Sequence, residues 1–361
     1  MREAMEIRVG MGSCGVASGA EAVRDALCAE AAQAGAPGVV KAVGCNGMCH
    51  REPLLEVVTA DGRSTLYGNV DAAAARAIAR SHLRPKSLAA RVRRAAEGAA
   101  SFFGGNRTGE EPLAHALDRD AAALNDYFGK QRRIVLENCG LIDPLDIDAY
   151  LARDGYRALE RCLTESTPDR IIAAIGESGL RGRGGAGFGT GRKWALGRAQ
   201  PGDVKYVICN GDEGDPGAFM DRLILESDPH RVLEGLAIAA FAIGAREGYL
   251  YIRAEYPKAV HHVRNAIRQA EERGFLGTDM CGTGHALRLE VREGAGAFVC
   301  GEETALIQSL EGRRGMPRLR PPYPAERGFR LRPTIINNAE TLACVPWILR
   351  HGPQAFAAFG T

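Results

Sequence analysis

The amino-acid sequence predicts an α/β protein with two consecutive domains. Strand-type and helix-type segments alternate after Gln131, which is typical of a largely parallel sheet. The first 85 residues have the order β-α-β-β-β-α, which indicates a smaller, separate unit. The chain has 361 residues, 45% of them apolar and 25% charged, which allows two or three globular domains.

Each element of the small unit rests on a local pattern. The hairpin is the clearest, because two apolar runs flank the turn Asp61-Gly62. The order of these elements resembles a thioredoxin-like module. The predicted strands are 6–10, 38–43, 53–59 and 64–68, and the predicted helices are 19–32 and 71–82.

The charge balance favours no polyanionic partner. The 46 basic and 44 acidic residues give a net charge of +2, so neither nucleic acid nor a membrane surface is expected. No apolar run approaches the roughly 18–20 residues that span a bilayer, and the N-terminus has no apolar signal core. We therefore expect a cytoplasmic protein without direct membrane insertion.

Residues 86–130 are predicted to be a linker between the domains. A basic stretch runs from Arg80 to Arg94, and glycines between 98 and 109 break any long helix. The favoured interpretation is a solvated linker with a helical piece. The alternative, an arm for nucleic acid, lacks the interleaved aromatic residues on which bases stack.

The larger domain is predicted to span residues 131–361. The segment Pro168-Asp169-Arg170 is predicted to cap one of its helices, and the apolar run 206–210 is a buried strand. Its predicted helices are 146–158, 171–180, 229–241 and 257–273, and its predicted strands are 206–210, 247–253 and 287–292.

A glycine-rich loop carries the strongest chemical signal. Residues 179–194 contain seven glycines, together with Arg183 and Lys193. Glycines permit close approach to the backbone, and free N–H groups beside cations bind phosphate. The preceding segment is predicted to be helical, so neither a Rossmann fingerprint nor a Walker A loop has its required context. The alternative is a flexible surface loop. Phe188 and Trp194 disfavour it, because their aromatic side chains would anchor the loop by packing.

Carboxylates and amides gather at three further points. Residues 209–219 follow a strand directly, and ligands bind at the carboxyl ends of strands in α/β sheets. Glu302 and Glu303 open a helix after Gly301, where the helix dipole favours anions. Asn337 and Asn338 precede another helix, for which Thr334 or Asn338 is a candidate N-cap. Each group also has a simpler interpretation, as a solvated turn or as helix capping.

Four motifs in this order resemble one family. They are GRGGAGFGTGRKW, CNGDEGDPGAF, GAFVCGEETAL and INNAET. Together they resemble the NADH-binding FMN flavoprotein subunits of respiratory complex I, NAD-reducing hydrogenases and NAD-dependent formate dehydrogenases. The resemblance runs from about Gln131 to the end. It implies a Rossmann-like domain for FMN and NADH, hydride transfer between them, and iron–sulfur and catalytic partner subunits. At two positions, Asp215 and Phe298, the sequence resembles the hydrogenase and formate dehydrogenase branches more than the complex I members.

The resemblance also implies roles for individual residues. It places Asp215 and Glu303 at the reacting nicotinamide. The FMN site would contain Gly182, Arg183, Gly184, Lys193, Asn210, Asp212, Glu213, Gly301, Glu302, Ile336, Asn337, Asn338 and Thr341. The NADH site would contain Gly185, Phe188, Asp215, Phe298, Glu303, Arg320 and Tyr323. The family's ubiquitin-like domain and [4Fe–4S] domain are expected to be absent, because the sequence has no C-x-x-C-x-x-C motif.

Three cysteines of the small unit resemble the ligands of a thioredoxin-like [2Fe–2S] ferredoxin. They are Cys14, Cys45 and Cys49, whereas such a cluster needs four thiolates. Val9 stands where the first pair would begin, so a degenerate docking module is the alternative. The remaining cysteines of the larger domain are predicted to be small core residues, namely Cys139, Cys162, Cys209, Cys281, Cys300 and Cys344.

Two other functions remain open from the sequence. The first is a non-catalytic docking subunit that retains the fold. The second is a nucleoside triphosphate hydrolase, which the surroundings of Lys193 disfavour because Arg192 and Trp194 flank it.

Overall fold

The computed structural model describes residues 5–83, 92, 116–117, 126–215, 217–294 and 296–360. Most of the predicted linker 86–130 lies outside these residues. The chain forms two compact units. The first comprises residues 1–133 with 139–143, and the second comprises residues 134–138 with 144–361.

The first unit is a mixed sheet with helices. Its strand order is β2-β1-β3-β4-β5, in which β1 and β2 are parallel and the other pairs are antiparallel. This order confirms the predicted thioredoxin-like fold. The strands are β1 (Glu6–Gly10), β2 (Val40–Val43), β3 (Leu55–Val58), β4 (Ser64–Tyr67) and β5 (Ala116–Leu117); the helices are α1 (Ser13–Ala17), α2 (Ala20–Gln33) and α3 (Ala72–His82).

Alternation and capping explain these elements. Ile7 and Val9 are fully buried in β1, and Arg8 between them is paired with Glu56 at 3.3 Å. Asp71 caps α3 by accepting hydrogen bonds from the N–H groups of Ala73 (2.9 Å) and Ala74 (2.8 Å).

The second unit is built on a four-stranded parallel sheet. Its order is β8-β7-β6-β9, which confirms the predicted Rossmann-like α/β class. Strand β9 was not predicted, because its two asparagines suggested only the start of a helix. The strands are β6 (Tyr206–Gly211), β7 (Glu247–Arg253), β8 (Arg288–Gly294) and β9 (Thr334–Asn338).

Helices cover this sheet, and one of them, α9 (Pro229–Ile243), is buried along nearly its whole length. Within the described residues no helix is long and apolar enough to cross a membrane. The helices are α4 (Ile147–Leu151), α5 (Arg157–Glu165), α6 (Pro168–Glu177), α7 (Thr190–Ala199), α8 (Met220–Ser227), α9 (Pro229–Ile243), α10 (Pro257–Glu272), α11 (Glu303–Leu310), α12 (Pro324–Arg327), α13 (Ala339–His351) and α14 (Pro353–Ala357).

Two helix predictions need correction. The segment 146–158 is not one helix, because Asp154 and Tyr156 have φ values of 62° and 60° and the chain turns between α4 and α5. Gly155 lies in this turn, where an added Cβ would stand 2.2 Å from the Tyr150 ring. Helix α6 begins at Pro168 rather than at 171 and ends at Glu177 rather than at 180, and Gly179 follows with a φ of 70°.

Candidate functional site

The carboxyl ends of β6 and β9 bring two predicted motifs together. The two strands are hydrogen-bonded neighbours, and their register pairs Cys209 with Asn337 and Asn210 with Asn338. Amides that are distant in sequence therefore lie side by side. This edge is where parallel α/β sheets bind ligands.

The glycine-rich loop is closed on itself by backbone hydrogen bonds. The Gly182 N–H donates to the Phe188 carbonyl at 2.9 Å, and the Thr190 N–H donates to the Leu180 carbonyl at 2.9 Å. Gly185 and Gly187 have φ values of 101° and 62°, which favour glycine. Helix α6 precedes the loop. This confirms the prediction that a helix, and not the strand that a Rossmann fingerprint requires, comes before the glycines.

Only one of the two proposed aromatic anchors holds the loop. Trp194 is fully buried, and its Nε1 donates to Asn337 Oδ1 at 2.9 Å. Phe188 is 43% exposed, so its assignment as a packing anchor was wrong. The Arg192 guanidinium lies over the Phe188 ring, with its carbon 5.5 Å from the ring centroid.

The loop and the helix after it contact the end of β9. The Arg183 N–H donates to Thr341 Oγ1 at 2.8 Å. Lys193 Nζ donates to the Ile336 carbonyl at 2.6 Å and forms an ion pair with Glu303. Lys193 therefore joins the glycine-rich segment, β9 and the start of α11, all of which the sequence assigned to cofactor binding.

A second set of contacts joins β6 to the turn before α11. Asn210 Nδ2 donates to the Gly301 carbonyl at 2.9 Å, and Asn210 Oδ1 accepts from the Asp212 N–H at 3.0 Å. A Cβ added at Gly301 would stand 3.0 Å from the Asp212 carbonyl oxygen, so glycine permits this approach. Glu302 caps α11, accepts from the Thr304 N–H at 2.9 Å, and lies 3.5 Å from the Arg320 guanidinium.

The third acid of the strand-end motif supports a helix. Glu213 accepts hydrogen bonds from the N–H groups of Met220 (2.8 Å), Asp221 (3.3 Å) and Arg222 (3.3 Å) at the start of α8. Glu213, which was predicted to contact FMN, therefore also caps α8, because carboxylates stabilise helix N-termini.

Asp221 is a buried residue of this region that none of the sequence motifs includes. Its Oδ2 accepts a hydrogen bond of 2.6 Å from Asn338 Nδ2, and its Oδ1 accepts one of 3.3 Å from the Glu340 N–H. Only 3% of Asp221 is exposed. The available signal was a carboxylate in the first turn of the helix that follows the acidic motif.

Burial raises the pKa values of three acids in this region. It raises the pKa of Asp221 to about 7, and the nearby Glu213 adds to the effect. Burial also raises the pKa of Asp212 to about 6, although Arg253 opposes the shift. The pKa of Glu340 is also raised, mainly by burial. These carboxyls therefore hold their protons at higher pH than exposed acids do.

Several residues assigned to NADH lie at the open surface. Phe298 is 72% exposed and packs against Gly214, where an added Cβ would stand 2.8 Å from its ring. Tyr323 is 55% exposed at the start of α12. Asp215 is also exposed, and its carbonyl accepts from the Ala218 N–H at 3.1 Å. Gly185 lies in the exposed part of the loop, with open space around it.

Two of the three predicted cluster cysteines, Cys45 and Cys49, lie close together. The sulfurs of Cys45 and Cys49 lie 3.7 Å apart, and burial raises the pKa of the Cys45 thiol. Across the described part of the chain, no group of three or more His, Cys, Asp or Glu side chains is arranged to hold a metal ion. Three cysteines do not supply the four thiolates of a [2Fe–2S] cluster, so this assignment, which includes Cys14, stays a prediction.

Five of the six cysteines predicted to be core residues are buried. Cys281 is the exception, because it is half-buried and has a φ of 54°.

Residues 175–347 match the family described as the Nuo51 FMN-binding domain. This segment belongs to that family. One relative, HndC of Solidesulfovibrio fructosivorans, is an NADP-reducing hydrogenase subunit; it is 52% identical over 232 residues, covering 64% of this chain and 47% of HndC. A second relative, an NADH-quinone oxidoreductase subunit of Rhizobium meliloti, is 50% identical over 227 residues, covering 63% of this chain and 54% of the relative.

A solved structure extends the likeness to the first unit. A crystal structure of an NAD+-reducing [NiFe]-hydrogenase in the H2-reduced state aligns with 97% of this chain and 53% of that chain, at 30% identity and a TM-score of 0.53. The chain spans about half the length of the curated relatives it matches.

Proposed function

We propose that this chain is an NADH:acceptor oxidoreductase subunit that transfers hydride between NAD(H) and FMN. One observation carries the proposal. Four motifs converge at the carboxyl edge of the parallel sheet, where Lys193 contacts both Glu303 and the Ile336 carbonyl. The Nuo51 match covers the same residues. Electrons would pass to iron–sulfur and catalytic subunits of a larger cytoplasmic oxidoreductase.

The donor set suits a flavin mononucleotide. A phosphate needs backbone N–H groups and cations. The N–H groups of Gly182 and Arg183 donate within the protein, so Gly184 and Gly185 are the proposed donors, beside the side chains of Arg183 and Lys193. Ribityl hydroxyls need carboxylates and amides. Several of the groups that we assign to them are already oriented by hydrogen bonds within the protein, such as Asn210 and Asn338. The assigned residues are Asn210, Asp212, Glu213, Gly301, Glu302, Ile336, Asn337, Asn338 and Thr341, with Ile336 and Gly301 contributing backbone groups and Thr341 a hydroxyl. FMN, when bound, supplies hydride acceptance, and the protein supplies orientation and electrostatics.

We assign the nicotinamide nucleotide to the open side of this site. Phe298 and Tyr323 present exposed aromatic faces on which flat rings can stack. Gly185, Phe188, Asp215, Glu303 and Arg320 complete the assignment. We assign Asp215 and Glu303 to orienting the nicotinamide, and Arg320 to contacting the phosphates of the dinucleotide.

Glu303 and Lys193 define what the protein itself contributes. Their ion pair holds the ammonium group beside β9, and the side chain of Lys193 is only 20% exposed. Because Glu303 offsets the charge of this ammonium group, the pair acts as a fixed, partly buried dipole. We infer that the pair would orient the cofactor bound beside it.

The identity of the bound flavin tests the proposal. The purified protein should release FMN on heating, identified by chromatography against FMN and FAD standards. Lys193→Gln should lower the flavin content, whereas Lys258→Gln, a control on α10, should not. Release of FAD, or failure of the protein to bind added FMN, would contradict the assignment.

A further inference from the structure

A polar cavity of about 530 Å³ lies in the second unit, away from the proposed flavin site. Its lining includes Arg153, Arg157, Arg161, Arg350 and His351, and the carboxylates among its described lining residues are Glu137 and Asp154. Arg350 belongs to the last turn of α13, whereas Thr341 belongs to the first. Nine residues of helix separate them by roughly 14 Å along the helix axis.

Two of these arginines are held in place by hydrogen-bond partners. Arg350 donates from Nη1 to the Arg153 carbonyl at 3.1 Å and from Nη2 to Glu137. Arg153 Nε donates to Asn138 Oδ1 at 2.6 Å. Asn138 is in turn held by a 2.8 Å hydrogen bond from its Nδ2 to the fully buried Asp228. These guanidinium groups are therefore pre-organised.

The carboxylates of the cavity do not neutralise its arginines. Glu137 is shared, because its Oε1 also accepts a 2.6 Å hydrogen bond from the buried Arg231. Asp154 is paired with Arg157, at 3.1 Å, and both side chains are more than half exposed. Ion pairs of this exposed kind are weak. Arg161 has a similarly exposed ion pair with Glu165, at 3.6 Å. The four lining arginines outnumber Glu137, Asp154 and Glu165, so an excess of positive charge remains around a concave space.

We propose that this cavity is a second anion site, which binds a small molecule carrying at least two phosphate groups. Guanidinium groups bind phosphate oxygens in a bidentate manner, and several arginines can engage two phosphates at once. The cavity volume matches that of small-molecule sites. Its concave form and its small apolar content favour a small polyanion over a protein segment.

Inorganic pyrophosphate is the probe. Isothermal titration calorimetry on the protein saturated with FMN should show saturable binding. The double variant Arg157→Gln/Arg161→Gln should weaken this binding at least tenfold, because it removes two exposed cations one helical turn apart. Arg264→Gln/Arg268→Gln is the matched control. It removes two exposed arginines at the same spacing on α10, of which Arg268 has an i,i+4 partner as Arg161 does. This control should change the affinity less than twofold.

Three outcomes would overturn the proposal. They are equal weakening in both double variants, absence of saturable binding, and displacement of pyrophosphate by excess FMN, which would place the anion on the glycine-rich loop. If the first double variant fails to fold, the single variant Arg153→Gln should show the same loss. Failure of the protein to bind FMN would contradict the proposed function but not this site, whose dependence on Arg157 and Arg161 is measured independently.

Discussion

At the scale of single residues, Lys193 and Glu303 form the central polar contact of the candidate site. The Lys193 ammonium group donates to the Ile336 carbonyl as well as to Glu303, so its position does not depend on the carboxylate alone. A change at Glu303 can therefore alter the nucleotide side of the site while the lysine stays beside β9.

We expect Glu303→Gln to raise the apparent KM for NADH at least several-fold while the flavin content stays normal. The amide keeps the size and accepting oxygen of glutamate but removes its charge, which the proposal places beside the nicotinamide. Steady-state kinetics and flavin absorbance measure the two quantities. Loss of flavin with an unchanged KM would show that our division between flavin and nucleotide residues is wrong.

Asp221 provides a prediction about pH and stability. Burial raises its pKa to about 7, so between its unfolded value near 4 and about 7 the native state binds a proton that the unfolded state releases. The contribution of Asp221 to stability is therefore present at low pH and is lost as pH rises through this window.

The variant Asp221→Asn should lose less stability than the wild type between pH 5 and pH 8. The difference should be about 1–3 kcal/mol, because each pKa unit corresponds to about 1.4 kcal/mol. Thermal unfolding at the two pH values measures it. The exposed Asp169→Asn variant should keep the wild-type pH dependence, and an equal pH dependence in Asp221→Asn would contradict the assignment.

At the scale of elements, the packing of α7 on α6 depends on one glycine. A Cβ added at Gly191 would stand 2.5 Å from the backbone nitrogen of Gly176 and 3.0 Å from the Ile172 carbonyl oxygen. A Cβ added at Gly176 itself would meet nothing within 4 Å. These two glycines face the same helix contact but differ in the space around them.

Gly191→Ala should therefore destabilise the second unit by about 1–3 kcal/mol, because the backbones of α6 and α7 must separate. Gly176→Ala should be neutral or stabilising by up to about 1 kcal/mol, since alanine is the better helix former. Chemical denaturation of both variants provides the comparison. Destabilisation by Gly176→Ala to the same degree would show that helix propensity and packing have been misjudged here.

The sequence predicted long periodic elements better than short ones. Strand β7 was predicted with its observed bounds, and α10 differs by one residue, because each combines a clear apolar pattern with a clear end. Strand β9 was missed because only its first three residues have strand-type side chains, which is too short a pattern to predict a strand. Its strand character comes from pairing with β6. The break between α4 and α5 depends on positive φ at Asp154 and Tyr156, residues that do not usually signal a turn together.

The candidate site shows the same limit. The motif residues were found because glycines, amides and acids in that order are unusual. Asp221 lies outside every motif, and its importance comes from a hydrogen bond to Asn338, 117 residues later. Such long-range pairings leave no local pattern in a single sequence.

At the scale of the whole molecule, each unit has its own buried core. Leu55 is fully buried in β3 of the first unit, and Leu236 is 1% exposed in α9 of the second. All residues that we assign to FMN and NADH lie in the second unit. Units with separate cores can unfold separately, so stability and cofactor retention need not change together.

We expect Leu55→Ala and Leu236→Ala to separate these properties. Each variant removes a buried leucine and should destabilise its own unit by about 2–5 kcal/mol. Differential scanning calorimetry, with flavin fluorescence followed during heating, distinguishes the two. Leu236→Ala should lower the temperature at which flavin is released, whereas Leu55→Ala should leave that temperature and the rate of flavin bleaching by NADH unchanged. Flavin release at a lower temperature in Leu55→Ala would contradict this expectation. It would mean that stability lost in the first unit also lowers the stability of the flavin site, which requires the two units to be thermodynamically coupled.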